Sequence, residues 1–497
     1  MERVQLKKLL KNIPVKAIKG SKETEVSGLC SNSKWVAPGD LFIAKKGLTQ
    51  DGARFIPDAI AAGAVAVLTD LYDPFITNVV QILHPDVASV EAAIAKEFYG
   101  HPSDHLFLIG ITGTNGKTTT SYLIRHLLEC SQERCGLIGS IEWVVGKHLF
   151  PSEKTTPDIL QNYKLFHDMI VQKCTSCVME VSSHALDQGR VRSIEFDVAV
   201  FTNLTQDHLD YHKTMEEYAK AKAGLFSNLQ PQGKNHFPKW AIINADSLYF
   251  SQMTAHCSAH ILSYGIDRAC DLRASNIRLS ASGMQFEVVF QGKTHCLTSS
   301  LIGRFNVYNL LAAMGVGLAR GLTLKQIVSA LSSFKRVRGR LERIPNDRGI
   351  HIFVDYAHTD DALYNVLNTL KELKKGRLIT LFGCGGNRDA EKRPKMGAVV
   401  ESLSDLSIIT SDNPRREDPE EIIRNILDGL KDPSQALVIV DREEAIRRAI
   451  DMATPEDIVL IAGKGHENYQ IFSHRTIEFD DRAVALKNLN KVKKGVL

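Results

Sequence analysis

The stretch Leu106-Phe107-Leu108-Ile109-Gly110-Ile111-Thr112-Gly113-Thr114-Asn115-Gly116-Lys117-Thr118-Thr119 decides how the rest of the chain is read. Leu106 to Ile111 is an apolar run of strand length, closed by a Gly/Thr-rich turn. Leu123, Leu127 and Cys130 then recur at i, i+4 and i+7, the spacing of one helix face. A strand, a Gly-rich turn and a helix that opens on Lys and Thr form the context a phosphate loop requires. Glycine lets backbone N–H groups close around phosphate oxygens, and the helix N-terminus adds partial positive charge. Lys117 is expected against terminal phosphates and the Thr118 hydroxyl toward Mg²⁺, with Gly113, Thr114, Asn115, Gly116 and Thr119 completing the cradle. The long form of the loop needs glycine where Ile111 stands, so the match is to the shorter GxxGKT form.

Around this loop, short β-type runs alternate with helical patterns, which predicts an α/β protein with mainly parallel sheets. The 497 residues exceed one ordinary core and suit several domains. The expected spans are 1–104, 105–336 and 337–497, with His101-Pro102-Ser103-Asp104 as the first linker. The strands Ile352–Val354, Leu378–Phe382, Leu406–Thr410 and Ile458–Ala462 should build the last sheet. No repeat or low-complexity segment breaks this pattern. The longest apolar runs are too short to span a bilayer, and Met1-Glu2-Arg3-Val4-Gln5 carries no secretory h-region. Nine scattered cysteines, an odd number, suit a reducing compartment. Cys174-Thr175-Ser176-Cys177 lacks a second ligand pair for zinc and reads as buried strand thiols. A net charge of +4 fits an anionic small molecule and falls short of a nucleic-acid footprint.

Two further apolar strands end in ligand-type residues. Cys177-Val178-Met179-Glu180 leads to Ser182 and His184, and Val198-Ala199-Val200-Phe201 leads to Asn203, Asp207 and His208. Ligands of open α/β sheets bind beyond the carboxyl ends of the strands, so Glu180 and His208 are candidate Mg²⁺ ligands. Magnesium prefers oxygen, which makes a histidine unusual. The plainer alternatives are a strand-end salt bridge for Glu180 and a helix-start histidine for His208. Thr214-Met215-Glu216-Glu217 opens a helix on which Met215, Tyr218, Lys222, Leu225 and Phe226 share one face, while Lys220 does not. An ammonium on an apolar face must snorkel, find a carboxylate, or be modified; CO₂ adds to a neutral amine to give an anionic carbamate.

Taken together, these strings resemble the Mur ligase family, and most closely its diaminopimelate-adding branch. The markers run nearly end to end: TGTNGKTTT (Thr112 to Thr120), MEVSSHALDQGRV (Met179 to Val191), FTNLTQDHLDYH (Phe201 to His212), GRFNVYNLLAA (Gly303 to Ala313), VRGRLE (Val337 to Glu342), DYAHT (Asp355 to Thr359), FGCGGNRD (Phe382 to Asp389), SDNPR (Ser411 to Arg415) and GKGHE (Gly463 to Glu467). The resemblance implies a small N-terminal UDP-binding α/β domain, a central P-loop ATPase-type domain and a C-terminal dinucleotide-binding-like α/β domain. It implies that Lys222 is carbamylated, as N6-carboxylysine, and joins Thr118, Glu180 and His208 around Mg²⁺, with two ions expected. Ser33, Thr155, Thr156, Ser182, Gln188 and Arg190 match positions that hold the UDP-linked muramoyl-dipeptide. Asn306, Asn309, Arg340, Asp355 and His358 match the nucleotide side. Arg388, Asp412, Asn413, Arg415, Gly463 and Glu467 match positions for the incoming amino acid. Two departures stand out: Asn32-Ser33-Lys34 replaces the usual D-S-R, losing arginine's bidentate fork, and Asp360-Asp361 follows DYAHT where Pro-Asp is common.

The implied activity is an ADP-forming acid–amino-acid ligase. ATP would turn a carboxylate of the UDP-N-acetylmuramoyl-dipeptide into an acyl phosphate, which the amine of meso-diaminopimelate then attacks. Arg415 favours diaminopimelate, because its planar fork suits the second carboxylate that lysine lacks. Lys117, Lys222, Glu180 and His208 are the expected catalytic set. The expected setting is the cytoplasm, for a monomer that neither inserts in a membrane nor binds nucleic acid. The competing readings are an L-lysine-adding or folylpolyglutamate-type ligase, a non-catalytic nucleotide-binding precursor sensor, and a nucleic-acid-dependent P-loop ATPase.

Overall fold

The computed structural model describes residues 3–47, 50–229 and 238–494. Two compact units divide it: residues 1–270 with 312–322, and residues 271–311 with 323–497.

The first unit carries two large sheets and a two-stranded pairing of Val4–Gln5 with Glu25–Val26. The N-terminal large sheet has five strands in the order Ala17–Lys19, Val80–Leu83, Ala66–Thr69, Asp40–Ile43 and Gly28–Cys30. Only the first pair is antiparallel. Its three inner strands are buried along their length because both faces are covered, the usual fate of parallel strands, while the two edge strands are only partly buried. Leu41, Ile43, Ala66 and Leu68 face the large core that includes helix Val87–Phe98, while Phe42 and Val67 pack with Ile56 and Ala59 on the other side. The linker expected at His101–Asp104 is a 3₁₀ turn, Pro102–Asp104, entered through a left-handed His101.

The central sheet of this unit runs His148–Pro151, Glu142–Val145, Cys135–Ile138, Ser176–Glu180, Phe107–Thr112, Val198–Phe201, Trp240–Asn244 and His260–Gly265. The six strands from Cys135–Ile138 to His260–Gly265 are parallel, and the two outer ones antiparallel. Strand Phe107–Thr112 lies between Ser176–Glu180 and Val198–Phe201, so the phosphate loop, Glu180 and the 202–208 loop leave the sheet at one edge. Helix Lys117–Cys130 follows the loop as expected and buries Leu123 and Leu127. Cys130, the helix's last residue, is exposed. Cys174 and Cys177 are buried free thiols, as read from their apolar setting.

In the second unit a six-stranded sheet runs Glu342–Ile344, His351–Asp355, Ile458–Ala462, Leu378–Phe382, Leu406–Ile409 and Ala436–Val438, parallel except for the first pair. Apolar clusters cover both faces, one around Phe353, Phe382 and Leu460, the other around Val354, Leu381 and Ile461. Asp360 and Asp361 open helix Asp360–Leu373 behind its Thr359 cap, where carboxylates suit the helix dipole. Among the described residues no helix is long and apolar enough to cross a membrane.

Arg442 and Asp481 form an ion pair at 2.7 Å with both side chains 0% exposed. Arg442 also donates to the carbonyls of Ala462 (2.9 Å) and Ser411 (3.3 Å), tying together the ends of two sheet strands. Removing one partner of such a pair strands a buried charge, at a cost of about 3–5 kcal/mol. Asp481→Ala should therefore lower unfolding free energy in urea by about that amount. A loss under about 1 kcal/mol would mean that the pair is not holding these strand ends together.

Candidate functional site

The phosphate loop is shaped by what it touches. A Cβ on Gly113 would stand 1.9 Å from Thr202 Oγ1, so only glycine lets the loop meet the neighbouring strand end. Gly116 has φ +87° and enters helix Lys117–Cys130 from a left-handed conformation. The loop backbone is pinned by Thr202 Oγ1 and Asn203 Nδ2, which donate to Asn115 O (2.6 and 3.1 Å), and by Asn115 N–H, which donates to Asn203 Oδ1 (2.9 Å). Lys117 Nζ donates to Gly113 O and Thr114 O, each at 2.8 Å, which holds the ammonium over the loop.

Glu180 lies next to it at 0% exposure. A buried carboxylate is costly unless hydrogen-bonded. Three donors serve it: Thr118 Oγ1 (3.0 Å), Ser140 N–H (3.0 Å) and Ser140 Oγ (2.9 Å). Gly139 makes the approach possible, because a Cβ there would fall 2.5 Å from Glu180 Oε1. From Glu180 the network spreads to the expected precursor positions. Thr155 Oγ1 lies 3.0 Å from Ser140 Oγ, and Thr156 Oγ1 donates to Glu180 O at 2.8 Å. Ser182 N–H donates to Thr156 Oγ1 (3.1 Å), and Arg190 Nη1 to Thr156 O (3.1 Å). Arg190 Nε holds Gln188 Oε1 at 3.0 Å, and Gln188 Nε2 reaches Tyr211 Oη at 3.2 Å. Thr118, Glu180, Thr155, Thr156, Ser182, Gln188 and Arg190 are thus one connected group. The oxygen ligands Thr118, in the first turn of the helix after the phosphate loop, and Glu180, at the neighbouring strand end, stand 3.0 Å apart and fit a hard cation such as Mg²⁺, which needs few protein ligands beside phosphate oxygens.

Lys222 sits on the buried face of helix Met215–Ser227 with Tyr218, Leu225 and Phe226, while Lys220 is exposed. It is 1% exposed; its Nζ donates to Gly113 O at 3.0 Å and stands 4.5 Å from the Tyr218 ring centroid. Burial, and then the Lys117 ammonium beside it, hold its pKa well below the usual lysine value. Met215 is only partly buried, because it stands in the first turn. His208 caps the short helix Leu209–His212 in a left-handed conformation and is exposed. Its ring stands edge-on to Tyr218 (6.1 Å) and to His184 (4.8 Å), so His208 and Lys222 both neighbour the Tyr218 ring. Ser33, itself half-buried, opens the otherwise exposed 3₁₀ turn Ser33–Trp35, which Asn32 caps by accepting from Lys34 N–H (3.1 Å).

The second unit holds the other expected residues, most of them at or after its strand ends and Asn306 and Asn309 within helix Arg304–Ala319. Asp355 accepts from Leu341 N–H (2.6 Å) and Ala357 N–H (2.8 Å), and burial raises its pKa. Arg340 stacks on Tyr356 with its guanidinium carbon 4.8 Å from the ring centroid, and His358 and His466 pack on the same ring at 4.5 and 4.8 Å. Asn306 and Asn309 are buried on one helix, with Asn309 Nδ2 donating to Asn306 Oδ1 (2.8 Å). Asn413 Nδ2 donates to Glu467 Oε2 at 2.8 Å. Gly463, at φ +112°, leaves room for Asp412, whose Oδ2 would lie 2.7 Å from a Cβ there. Arg415 Nη1 donates to Gly386 O at 2.9 Å, and Arg388 is exposed in the loop that follows Gly386.

Several contributors went unread in the sequence. Ser140 grips Glu180, and Lys464, 0% exposed, donates to Asn413 Oδ1 (3.1 Å) and Glu467 Oε2 (3.2 Å). Because Asn413 Oδ1 also accepts from Ile471 N–H (3.0 Å), its amide is fixed with the NH₂ turned toward Glu467. The lysine inside GKGHE was the one available signal: a cation between two glycines of a strand-end loop.

Models of three families match in sequence order: the Mur ligase family catalytic domain over residues 25–99, the Mur ligase middle domain over 111–317, and the Mur ligase glutamate ligase domain over 339–465. A protein of Geobacillus kaustophilus, named UDP-N-acetylmuramoyl-L-alanyl-D-glutamate–2,6-diaminopimelate ligase, is 44% identical over 97% of this chain and 98% of its own. One of the same name from Chlamydia trachomatis is 44% identical over 98% of this chain and 99% of its own. A solved structure of a ligase of that name superposes with a TM-score of 0.71 at 33% identity, covering 99% of this chain and 100% of its own. A folylpolyglutamate synthase of Mycobacterium tuberculosis shares the fold, with a TM-score of 0.60 at 18% identity over 75% of this chain and 91% of its own. By these matches the chain belongs to the Mur ligase family.

Proposed function

We propose that this chain uses ATP to add meso-diaminopimelate to UDP-N-acetylmuramoyl-L-alanyl-D-glutamate, releasing ADP and phosphate, in the making of peptidoglycan precursor. The observation that carries this reading is the joint at Glu180. Its carboxylate meets Thr118 of the phosphate loop and its carbonyl meets Thr156. This joint would bring a terminal phosphate on the loop and an acceptor carboxylate to the same strand end. The similarity to ligases named for this reaction, over nearly the whole chain, supports the same substrates.

The chemical obstacle is an anion attacking an anion. Lys117 and the loop N–H groups bind the terminal phosphates and draw charge from them. Thr118 and Glu180 would hold one Mg²⁺, and His208 and carbamylated Lys222 together with Glu180 would hold a second; the ions would supply further neutralisation of the phosphates. Thr155, Thr156, Ser182, Gln188 and Arg190 orient the muramoyl-dipeptide, and Ser33 meets its uridine end. Transfer of the terminal phosphoryl group gives an acyl phosphate; attack by the neutral amine forms the amide and expels phosphate. Asn306, Asn309, Arg340, Asp355 and His358 serve the nucleotide. Arg388, Asp412, Asn413, Arg415, Gly463 and Glu467 hold diaminopimelate, with the guanidinium of Arg415 on its far carboxylate. We assign the spans 1–104, 105–336 and 337–497 to precursor, ATP and amino-acid binding, and place the reaction in the cytoplasm, by a monomer.

The setting of Lys222 supports its carbamylation, since CO₂ adds only to a neutral amine and burial shifts this one toward its neutral form. In the unmodified protein the same burial costs stability. Between its lowered folded value and the ordinary lysine value of 10.5, the unfolded chain binds more proton at Lys222 than the folded chain, so stability rises with pH across that window. Lys222→Met should thus be more stable at neutral pH than bicarbonate-depleted wild type, with the gap closing toward pH 10.5. Lys222→Ala should lose activity and regain part of it with short-chain carboxylic acids. Wild-type turnover in that variant would refute the carbamate.

Phosphate release with ATP, Mg²⁺ and the UDP-muramoyl-dipeptide should require meso-diaminopimelate and fail with L-lysine. Arg415→Ala should raise the KM for diaminopimelate at least about tenfold and leave that for ATP nearly unchanged. Turnover with lysine would keep the ligase and overturn the role of Arg415. Silence with both amino acids would favour a nucleotide-binding sensor.

A further inference from the structure

The loop after strand Leu378–Phe382 contains two adjacent glycines that answer to different constraints. A Cβ on Gly386 would fall 1.9 Å from Pro414 O, and Gly386 N–H donates to Asn413 O at 2.9 Å. Gly386 is therefore required by backbone against backbone. Gly385 is different. Its φ lies outside the left-handed region, so a side chain there meets no backbone strain. The nearest atoms to a Cβ on Gly385 are Arg415 Nη1 at 2.9 Å, Arg388 Cγ at 3.7 Å and Asn413 O at 4.0 Å. All three belong to residues assigned above to the amino acid.

We propose that Gly385 is a specificity-determining position: the missing side chain leaves the space in which the Arg415 guanidinium is anchored toward the far carboxylate of diaminopimelate. This rests on the reading of Arg415 given above. The anchor is concrete. Arg415 holds φ +54° with its N–H on Ile471 O (3.0 Å), which fixes where the side chain starts. Nη1 then donates to Gly386 O at 2.9 Å, and the Nε–Nη2 edge of the fork takes no part in that bond. A Cβ on Gly385 would stand 2.9 Å from the anchored Nη1, inside ordinary contact, so the guanidinium must shift, which strains its bond to Gly386 O and re-aims the fork. The loop cannot easily retreat instead. The Gly385 carbonyl accepts from Arg393 (3.4 Å), a side chain only 2% exposed, and Arg393 is itself paired with Glu417 at 2.7 Å. Arg388 and Asn413 stand farther off and tolerate a methyl at ordinary contact distance.

The test is a double-mutant cycle on the full chain, with ATP, Mg²⁺ and the UDP-muramoyl-dipeptide, reading KM for meso-diaminopimelate and for ATP. Gly385→Ala should keep a thermal midpoint near wild type, whereas Gly386→Ala should lower it markedly. Gly385→Ala should raise the diaminopimelate KM about tenfold with the ATP KM within about twofold, and add less than about twofold on the Arg415→Ala background. An unchanged diaminopimelate KM overturns the inference. So does an increase that persists in full without Arg415, an equal rise for ATP, or unfolding of Gly385→Ala. If Arg415→Ala itself leaves the diaminopimelate KM unmoved, the reading of Arg415 fails, and the inference with it. If only Gly385→Ala is silent, Arg415 keeps its role and Gly385 loses its own.

Discussion

A buried carboxylate gripped by neutral donors organises the first unit. Glu180 ends strand Ser176–Glu180, directly beside the strand that launches the phosphate loop. Its burial is tolerated because Thr118 and Ser140 supply three hydrogen bonds, and those bonds fix the positions of the donors in return. Its carbonyl holds Thr156, and through Thr156 come Ser182 and Arg190. The residues proposed to bind phosphate and those proposed to bind the muramoyl-dipeptide are therefore set by one side chain and its own peptide. The parallel sheet makes this possible by bringing three chain segments, distant in sequence, to one edge.

The second unit meets a similar demand differently. Its pocket residues sit on loops beyond parallel strands, and loops need outside support to hold a geometry. Arg442 and Asp481 tie Ser411 and Ala462, which lie at the start of the loops carrying Asp412 and Gly463. Lys464 then sets the direction of the Asn413 amide, and Arg393 with Glu417 steadies the loop that carries Gly385 and Arg388. Buried charge here serves placement.

Much of this was legible in the chain because local period reports local structure. The apolar run before Gly113 and the i, i+4 leucines after Lys117 specified a strand, loop and helix, and the structure has them. Helical spacing put Lys222 on the face of Tyr218, Leu225 and Phe226 and left Lys220 outside, as found. Resemblance to the family marked Thr156, Ser182 and Arg190, which the structure joins to Glu180. Partners across long separations were not legible. Ser140 lies 40 residues from Glu180 and Arg442 lies 39 from Asp481, and nothing in the local pattern of either says which distant strand end it will meet. The exposure of Cys130 was missed for a related reason: period assigns a face to a residue, and does not say whether that face is still covered at the helix end.

The central claim is that ATP activates a carboxylate of the UDP-linked precursor beside Glu180. It is tested most directly by labelling that carboxylate with ¹⁸O and following one turnover with meso-diaminopimelate. An acyl phosphate requires one labelled oxygen to appear in the released phosphate, because the bond from carbonyl carbon to that oxygen breaks when the amine attacks. Phosphate free of label, alongside full amide formation, would contradict the account.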